Sequence, residues 1–213
     1  KKLVESGSIF QTSSDTEIIL QLVARSNKKK LIDKLIDTLN QIKGAYSLVI
    51  LTNKKLIGVR DPFGIRPLVL GDKDGSPVLA SETCALDMIG AKYVRDIENG
   101  EIVIITEKGI ESIKPFKVID ERPCIFERIY FASPDSIVEN KTVYTYRKSL
   151  GVELAKENNI SADVVVPIPD SGVSAAIGFS QKSSIPFELG IIRSHYVGRT
   201  FIEPSQSIRQ FGV

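Results

Sequence analysis

Residues 163–179, DVVVPIPDSGVSAAIGF, and residues 193–202, RSHYVGRTFI, decide how this chain folds and what it can hold. The first stretch is an apolar run, a tight Pro-Asp-Ser-Gly turn, and then small residues at helical spacing. That order predicts a strand over Val164–Ile168, a loop over 167–172 and a helix over Gly172–Gln181. Phe187–Ile192 supplies the next strand, so the segment reads as a right-handed strand–helix–strand unit with its first strand buried on both faces of a parallel sheet. Open sheets of this kind bind ligands at the carboxyl ends of their strands, where loop 167–172 falls. Gly172 lets backbone approach an anion, Ser171 and Ser174 offer hydroxyls, and Asp170 shapes the turn or sits near a metal carried by a phosphate. The same residues also suit an ordinary strand-to-helix turn with serine as the N-cap. In 193–202, Arg193, His195 and Arg199 are interleaved with Tyr196, Val197, Phe201 and Ile202, the make-up either of a loop that closes over a charged ligand or of a segment whose apolar residues pack into the core while its arginines face water. His195 is the only histidine of the chain. Taken alone it reads as a hydrogen-bonded structural residue rather than a base, and its isolation excludes a site built from several histidines.

Upstream, Tyr144–Asn158 predicts a helix with Tyr146, Leu150 and Leu154 on one face, and Ile125–Ala132 a short apolar strand or turn. Glu121-Arg122-Pro123 marks a change of rhythm and a boundary near residue 121. Before it the period is that of helices followed by hairpins. Ser14-Asp15-Thr16-Glu17 fits a capping box ahead of the stripe Ile18, Ile19, Leu22 and Val23. Leu31, Ile32, Leu35, Ile36, Leu39 and Ile42 form a second helix stopped by Gly44. YSLVIL (46–51), KLIGV (55–59), PLVLG (67–71) and SPVLA (76–80) are β-type runs separated by turn residues. Thr83–Ile89 reads as a short helix capped by Ser81, and Glu101–Thr106 with Ile110–Phe116 as another hairpin. Residues 1–121 therefore predict helices packed on antiparallel strands, and the whole chain an α/β protein of two domains, 1–121 and 122–213.

Composition narrows the function. The 28 basic and 26 acidic residues leave a net charge of +2, unlike a dedicated nucleic-acid binder. Lys28-Lys29-Lys30 reads as a solvated turn. No apolar run approaches a membrane span and the N-terminus lacks a signal-peptide core, so neither nucleic acid nor membrane is expected as a partner. The 2 cysteines do not make a disulfide framework, which points to a reducing cytoplasm. Cys84 reads as a buried helical thiol and Cys124, alone, as a plain thiol. Arg60–Leu68, RDPFGIRPL, reads as a structural connection whose arginines pair with Asp61 or a distant carboxylate. Asp15 is either a first-turn acid favoured by the helix dipole or a carboxylate for a ligand ammonium group.

Taken in order, GSIFQTSSDTE (7–17), QIKGAYSLVIL (41–51), RDPFGIRPLVLG (60–71), LASETCAL (79–86), CIFERIYFASPDS (124–136), PIPDSGVSAAIGF (167–179) and RSHYVGRTFIEPSQSIRQFGV (193–213) resemble the glutamine phosphoribosylpyrophosphate amidotransferases over essentially the whole chain. RDPFGIRPL with ASETCAL is shared more loosely by other glutamine amidotransferases, whereas the pairing with YVGRTFI is specific to this family.

The resemblance implies an N-terminal-nucleophile glutaminase domain of αββα type followed by a phosphoribosyltransferase domain with a parallel sheet, both incomplete. It implies the first step of purine synthesis, in which ammonia from glutamine displaces pyrophosphate from phosphoribosylpyrophosphate to give phosphoribosylamine. Residue by residue, Asp15 matches the carboxylate for the glutamine α-amino group. Asp170, Ser171 and Gly172 match the pyrophosphate loop, with Ser171 near magnesium. Arg193 and Arg199 match phosphate or lid contacts, and Tyr196, Phe201 and Ile202 the walls of an ammonia channel. Cys124 matches one ligand of the [4Fe–4S] cluster of one branch. Purine nucleotides as feedback inhibitors and a homo-oligomer, a tetramer, are implied as partners.

The departures are specific. Residue 1 is Lys rather than the cysteine nucleophile. The motif for the glutamine carboxylate, the oxyanion Asn-Gly, the paired aspartates and the other cluster cysteines are missing. Ser133 stands where an arginine is common. The expectation is an internal portion of such an enzyme, its two centres completed by residues outside this chain. The rivals are a non-catalytic fragment or nucleotide-binding module, and an amidotransferase with another acceptor, such as the hexosamine-phosphate synthase.

Overall fold

The structure is a computed structural model that describes residues 2–117, 119–194 and 206–207. It divides into two compact units, Lys1–Cys124 and Ile125–Val213.

In the first unit, strands β1 (Ser47–Leu51), β2 (Leu56–Arg60), β6 (Ile102–Thr106) and β7 (Gly109–Ile113) form one antiparallel sheet in the order β1-β2-β6-β7. Strands β3 (Val69–Lys73), β4 (Ser76–Ala80) and β5 (Lys92–Asp96) form a second, in the order β4-β3-β5. Alternating apolar residues give each sheet a face to bury. Leu35 and Leu39 of helix α3 (Leu31–Leu39) pack with Ile57, Val59, Ile102 and Ile104 on the outer face of the first sheet. Leu68, Leu70, Ile97 and Val103 fill the space between the sheets. Leu86 of helix α4 (Thr83–Met88) packs with Val69 and Ala91 on the second sheet. The order is helix, sheet, sheet, helix. The layers interlock through glycine, sheet on sheet at Gly58 and helix on sheet at Gly71. A Cβ on Gly58 would meet Leu79 Cδ1 at 2.8 Å, and one on Gly71 would meet Leu86 Cδ2 at 2.7 Å, so each glycine is a hole that a leucine fills.

The sequence placed most of these elements but not β5, whose Tyr93 and Val94 are exposed and give no buried periodicity. The Ser14–Glu17 capping box takes another form. Helix α2 (Thr16–Arg25) has Asp15 at its N-cap with no side-chain cap bond. Glu17 instead accepts from the backbone N–H groups of Gln11 and Thr12, both at 2.9 Å, and from the Thr12 hydroxyl. These bonds hold its carboxyl below the ordinary glutamate range, the Gln11 N–H contributing most. The helical stripe of Ile18, Ile19, Leu22 and Val23 contains no fully buried residue. Cys84 is half-buried rather than buried. Glu82, not Ser81, holds the N-cap position of α4.

In the second unit a π-helical turn, Glu127–Phe131, occupies the segment expected as strand or turn. A hairpin of β8 (Ile137–Val138) and β9 (Lys141–Thr142) follows, then helix α5 (Val143–Glu157). Thr142 caps α5 by accepting from the Thr145 N–H at 3.2 Å. The buried face of α5 is Val143, Arg147 and Gly151, not the Tyr146, Leu150 and Leu154 face, because α5 docks on helix α6 (Val173–Ser183) through glycines. A Cβ on Gly151 would collide with the Ala175 carbonyl, and one on Gly178 with the Lys148 carbonyl. Arg147 is buried and donates to the carbonyls of Arg128 at 2.7 Å and Ala132 at 2.9 Å, closing the end of the π-helical turn.

The expected parallel strands 164–168 and 187–192 are reduced to one parallel bridge, Val165 to Phe187. It is made by Val165 N–H donating to Pro186 at 2.8 Å and Glu188 N–H donating to Val165 at 3.0 Å. Val164 and Val166 are 41% and 37% exposed, so burial on both faces is not realised. A lone parallel bridge has no neighbouring strands or covering helices on both sides to bury them.

Candidate functional site

The loop after Val166 is built from the backbone. Pro167 is buried at its entry, and the Pro169–Asp170 peptide is cis. Gly172 N–H donates to the Ile168 carbonyl at 3.1 Å and Val173 N–H to the Asp170 carbonyl at 3.3 Å. Gly172 is then the N-cap position of α6, where Ala176 N–H donates back to it at 2.9 Å. A side chain is excluded there, since a Cβ on Gly172 would stand 2.6 Å from the Ile168 carbonyl oxygen. The result is a preset turn that delivers Asp170, exposed, and Ser171, half-buried, at the amino end of an eleven-residue helix.

Arg193 reaches this loop. Its Nη1 stands 3.1 Å from Asp170 Oδ2, in an ion pair whose side chains are 48% and 69% exposed. Of the residues expected from sequence, the structure therefore brings together Asp170, Ser171, Gly172 and Arg193. Ser174 is buried one turn into the helix. His195, Tyr196, Val197, Arg199, Phe201 and Ile202 lie outside the described residues.

In the first unit Asp15 is exposed at the start of α2, near the Thr16 hydroxyl, with its carboxylate directed to no backbone N–H of the helix. Asp61 has the structural role expected of it. It is fully buried and accepts from the N–H groups of Phe63 at 3.0 Å, Ile65 at 3.2 Å and Arg66 at 3.4 Å. The pairing expected for Arg60 is different. It donates to the carbonyls of Arg66, Ile97 and Gly64 rather than to a carboxylate. Beside Asp61, burial foremost and then the aspartate charge raise the Tyr46 phenol above its ordinary range.

Sequence reasoning missed a charged centre. Glu101 is 1% exposed and accepts two bonds from Arg95, at 2.9 and 2.7 Å, one from the Ser112 hydroxyl at 2.5 Å and one from Glu98 N–H at 2.6 Å. Burial pushes its carboxyl up, but the bonds from Arg95, Ser112 and Glu98 outweigh that and hold it below the ordinary range. Its partners lie on three different segments, so no local pattern announces it.

Cys124 is half-buried and free, its N–H donating to the Ile65 carbonyl at 3.4 Å. Among the described residues no group of three or more His, Cys, Asp or Glu could hold a metal ion. No helix among them is long and apolar enough to cross a membrane.

Comparison with known proteins begins with the class of domain matched. Residues 1–88 match the family described as the glutamine amidotransferase domain. The particular relatives follow. The amidophosphoribosyltransferase of Rhizobium etli is 55% identical over 100% of this chain and 44% of its own length. That of Bacillus subtilis is 46% identical over 100% of the chain and 45% of its length. The chloroplastic enzyme of Glycine max is 52% identical over 98% of the chain and 37% of its length. Among solved structures, the glutamine phosphoribosylpyrophosphate amidotransferase of B. subtilis complexed with ADP and GMP superposes with a TM-score of 0.89. It is 47% identical over 100% of this chain and 47% of that one. The chain thus corresponds to a portion of the amidophosphoribosyltransferases, sharing their mixed α/β fold, and spans less than half the length of these curated relatives.

Proposed function

We propose that the chain is part of an amidophosphoribosyltransferase, which takes ammonia from glutamine and transfers it to phosphoribosylpyrophosphate in the first step of purine synthesis. The observation that carries this reading is identity of 46–55% along the whole chain to bacterial relatives of that name. The first unit is then part of the glutaminase, of the N-terminal-nucleophile type, and the second part of the phosphoribosyltransferase, with the division placed at 1–121 and 122–213. In the transfer, ammonia nitrogen bonds to the ribose C1, the C1–oxygen bond breaks, and pyrophosphate leaves with the electron pair.

The roles are those the family resemblance implies. Asp15, exposed at a helix start, receives the α-ammonium of glutamine. Asp170, Ser171 and Gly172 cradle pyrophosphate, with backbone approach permitted by the missing Cβ. Arg193 and Arg199 contact phosphate, and Tyr196, Phe201 and Ile202 line the ammonia path. The Asp170 carboxylate and Ser171 hydroxyl are hard oxygen donors of the kind magnesium takes. Magnesium, when bound, neutralises charge on the departing pyrophosphate. For an iron–sulfur cluster the fit is partial. Cys124 offers one thiolate, and the described residues hold no metal-binding group to complete four, so no step is routed through a cluster.

Purine nucleotides are proposed as regulators because the solved relative was complexed with ADP and GMP. A homo-oligomer, a tetramer, and a cytoplasmic location complete the reading.

The test uses the complete protein that contains this chain. Asp15→Ala is expected to raise the glutamine KM at least tenfold while ammonia-dependent phosphoribosylamine synthesis stays intact. Equal loss of both activities would show Asp15 to be structural. Failure of the wild type to use ammonia and phosphoribosylpyrophosphate would sink the whole reading.

A further inference from the structure

Arg193 and Asp170 are 23 residues apart in the chain and meet because the Val165–Phe187 bridge brings the segment after Phe187 alongside loop 167–172. The loop does not need this contact for its shape. Gly172, Val173 and Ala176 N–H groups already close the turn, and Gly172 admits no side chain. The ion pair is therefore the separable part of the site. It is made through a single guanidinium nitrogen, Nη1, and both side chains are open to water, so it is cheap to break.

We propose, resting on the reading of this loop as a pyrophosphate site, that the pair is a self-occupying latch. Asp170 holds Arg193 in place of an anionic ligand, and a pyrophosphate-type anion binds by taking the guanidinium from the carboxylate. A multiply charged anion with several acceptor oxygens competes well against one carboxylate for a planar, forked donor. Before the exchange, Asp170 contributes a negative charge that repels such an anion. Asp170 is thus a gatekeeping residue in the metal-free protein, and Arg193 the group it withholds.

The experiment is calorimetric titration of inorganic pyrophosphate, metal-free and at low salt, into the full chain and its D170N, R193Q and D170N/R193Q variants. Both side chains are exposed, and thermal melts check that each variant remains folded. Asp170→Asn is expected to tighten binding by about two- to fivefold, the range of an exposed ion pair. Arg193→Gln is expected to weaken it, and the gain from D170N is expected to shrink toward none in the R193Q background. Unchanged or weaker binding by D170N overturns the latch, as does an equal gain in both backgrounds, which marks a general charge effect. Those outcomes leave the pyrophosphate site standing. Absence of binding in all four proteins overturns the site and the latch together.

Discussion

At the scale of single residues, some polar groups of this chain are satisfied by near neighbours, as Asp61 is, and others by partners far along the chain, as Arg60 is through Ile97. Asp61 and Arg60 show how much was legible. The turn chemistry of RDPFGIRPL announced a structural connection, and Asp61 anchors it by taking three backbone N–H groups. That Arg60 would seek carbonyls instead of a carboxylate was not legible, because those carbonyls include Ile97, far along the chain. Glu101 was invisible because its partners Arg95, Glu98 and Ser112 lie on separate segments that only the fold brings together. Its carboxyl is held below the ordinary range, so its contribution to stability is present above the unfolded glutamate value of about 4.3 and is lost as pH falls through the lowered folded value. Glu17 acts in the same direction. In urea denaturation, the wild type is expected to lose stability as pH drops from 6 to 3, and Glu101→Gln to show a flatter profile. At pH 7 the variant is expected to be less stable by about 2–3 kcal/mol, the worth of hydrogen bonds to a buried charge. An unchanged profile would move the acid sensitivity elsewhere.

At the scale of elements, apolar periodicity located the helices and most strands, but not which face of a helix is buried. In α5 the large residues Leu150 and Leu154 stay exposed while Gly151 is buried, because the helix partner approaches too closely for side chains. A rule that reads size as burial inverts such a face. Gly151→Ala would place a methyl group on the Ala175 carbonyl, and Gly178→Ala on the Lys148 carbonyl. Either is expected to separate α5 from α6 and cost at least about 2 kcal/mol, outweighing the roughly 1 kcal/mol that alanine gains as a helix former. Circular dichroism melts check this; a stabilised variant would mean the helices slide apart freely. The site at the head of α6 was legible as a turn. The meeting of Arg193 with Asp170 depends on the bridge between Val165 and Phe187, which no local pattern encodes.

At the scale of the molecule, burial is unevenly shared. Leu35, Ile57, Val59, Leu86, Ile97, Ile102 and Val103 are all in the first unit, whereas among the described residues the second buries only small or medium apolar side chains, Ala132, Val143 and Pro167. Amides of β2 and β6 are therefore expected to exchange with deuterium more slowly than those of α5 and α6, by at least tenfold. Equal protection would mean that the chain opens as one cooperative body. The glycine holes between the layers carry a different lesson, about which sequence changes are coupled. Gly58 and Leu79 fit as socket and plug, as do Gly71 and Leu86. Filling a socket forces its leucine to move, and shortening the leucine leaves a void, so the effects of substituting the two members of a pair do not add.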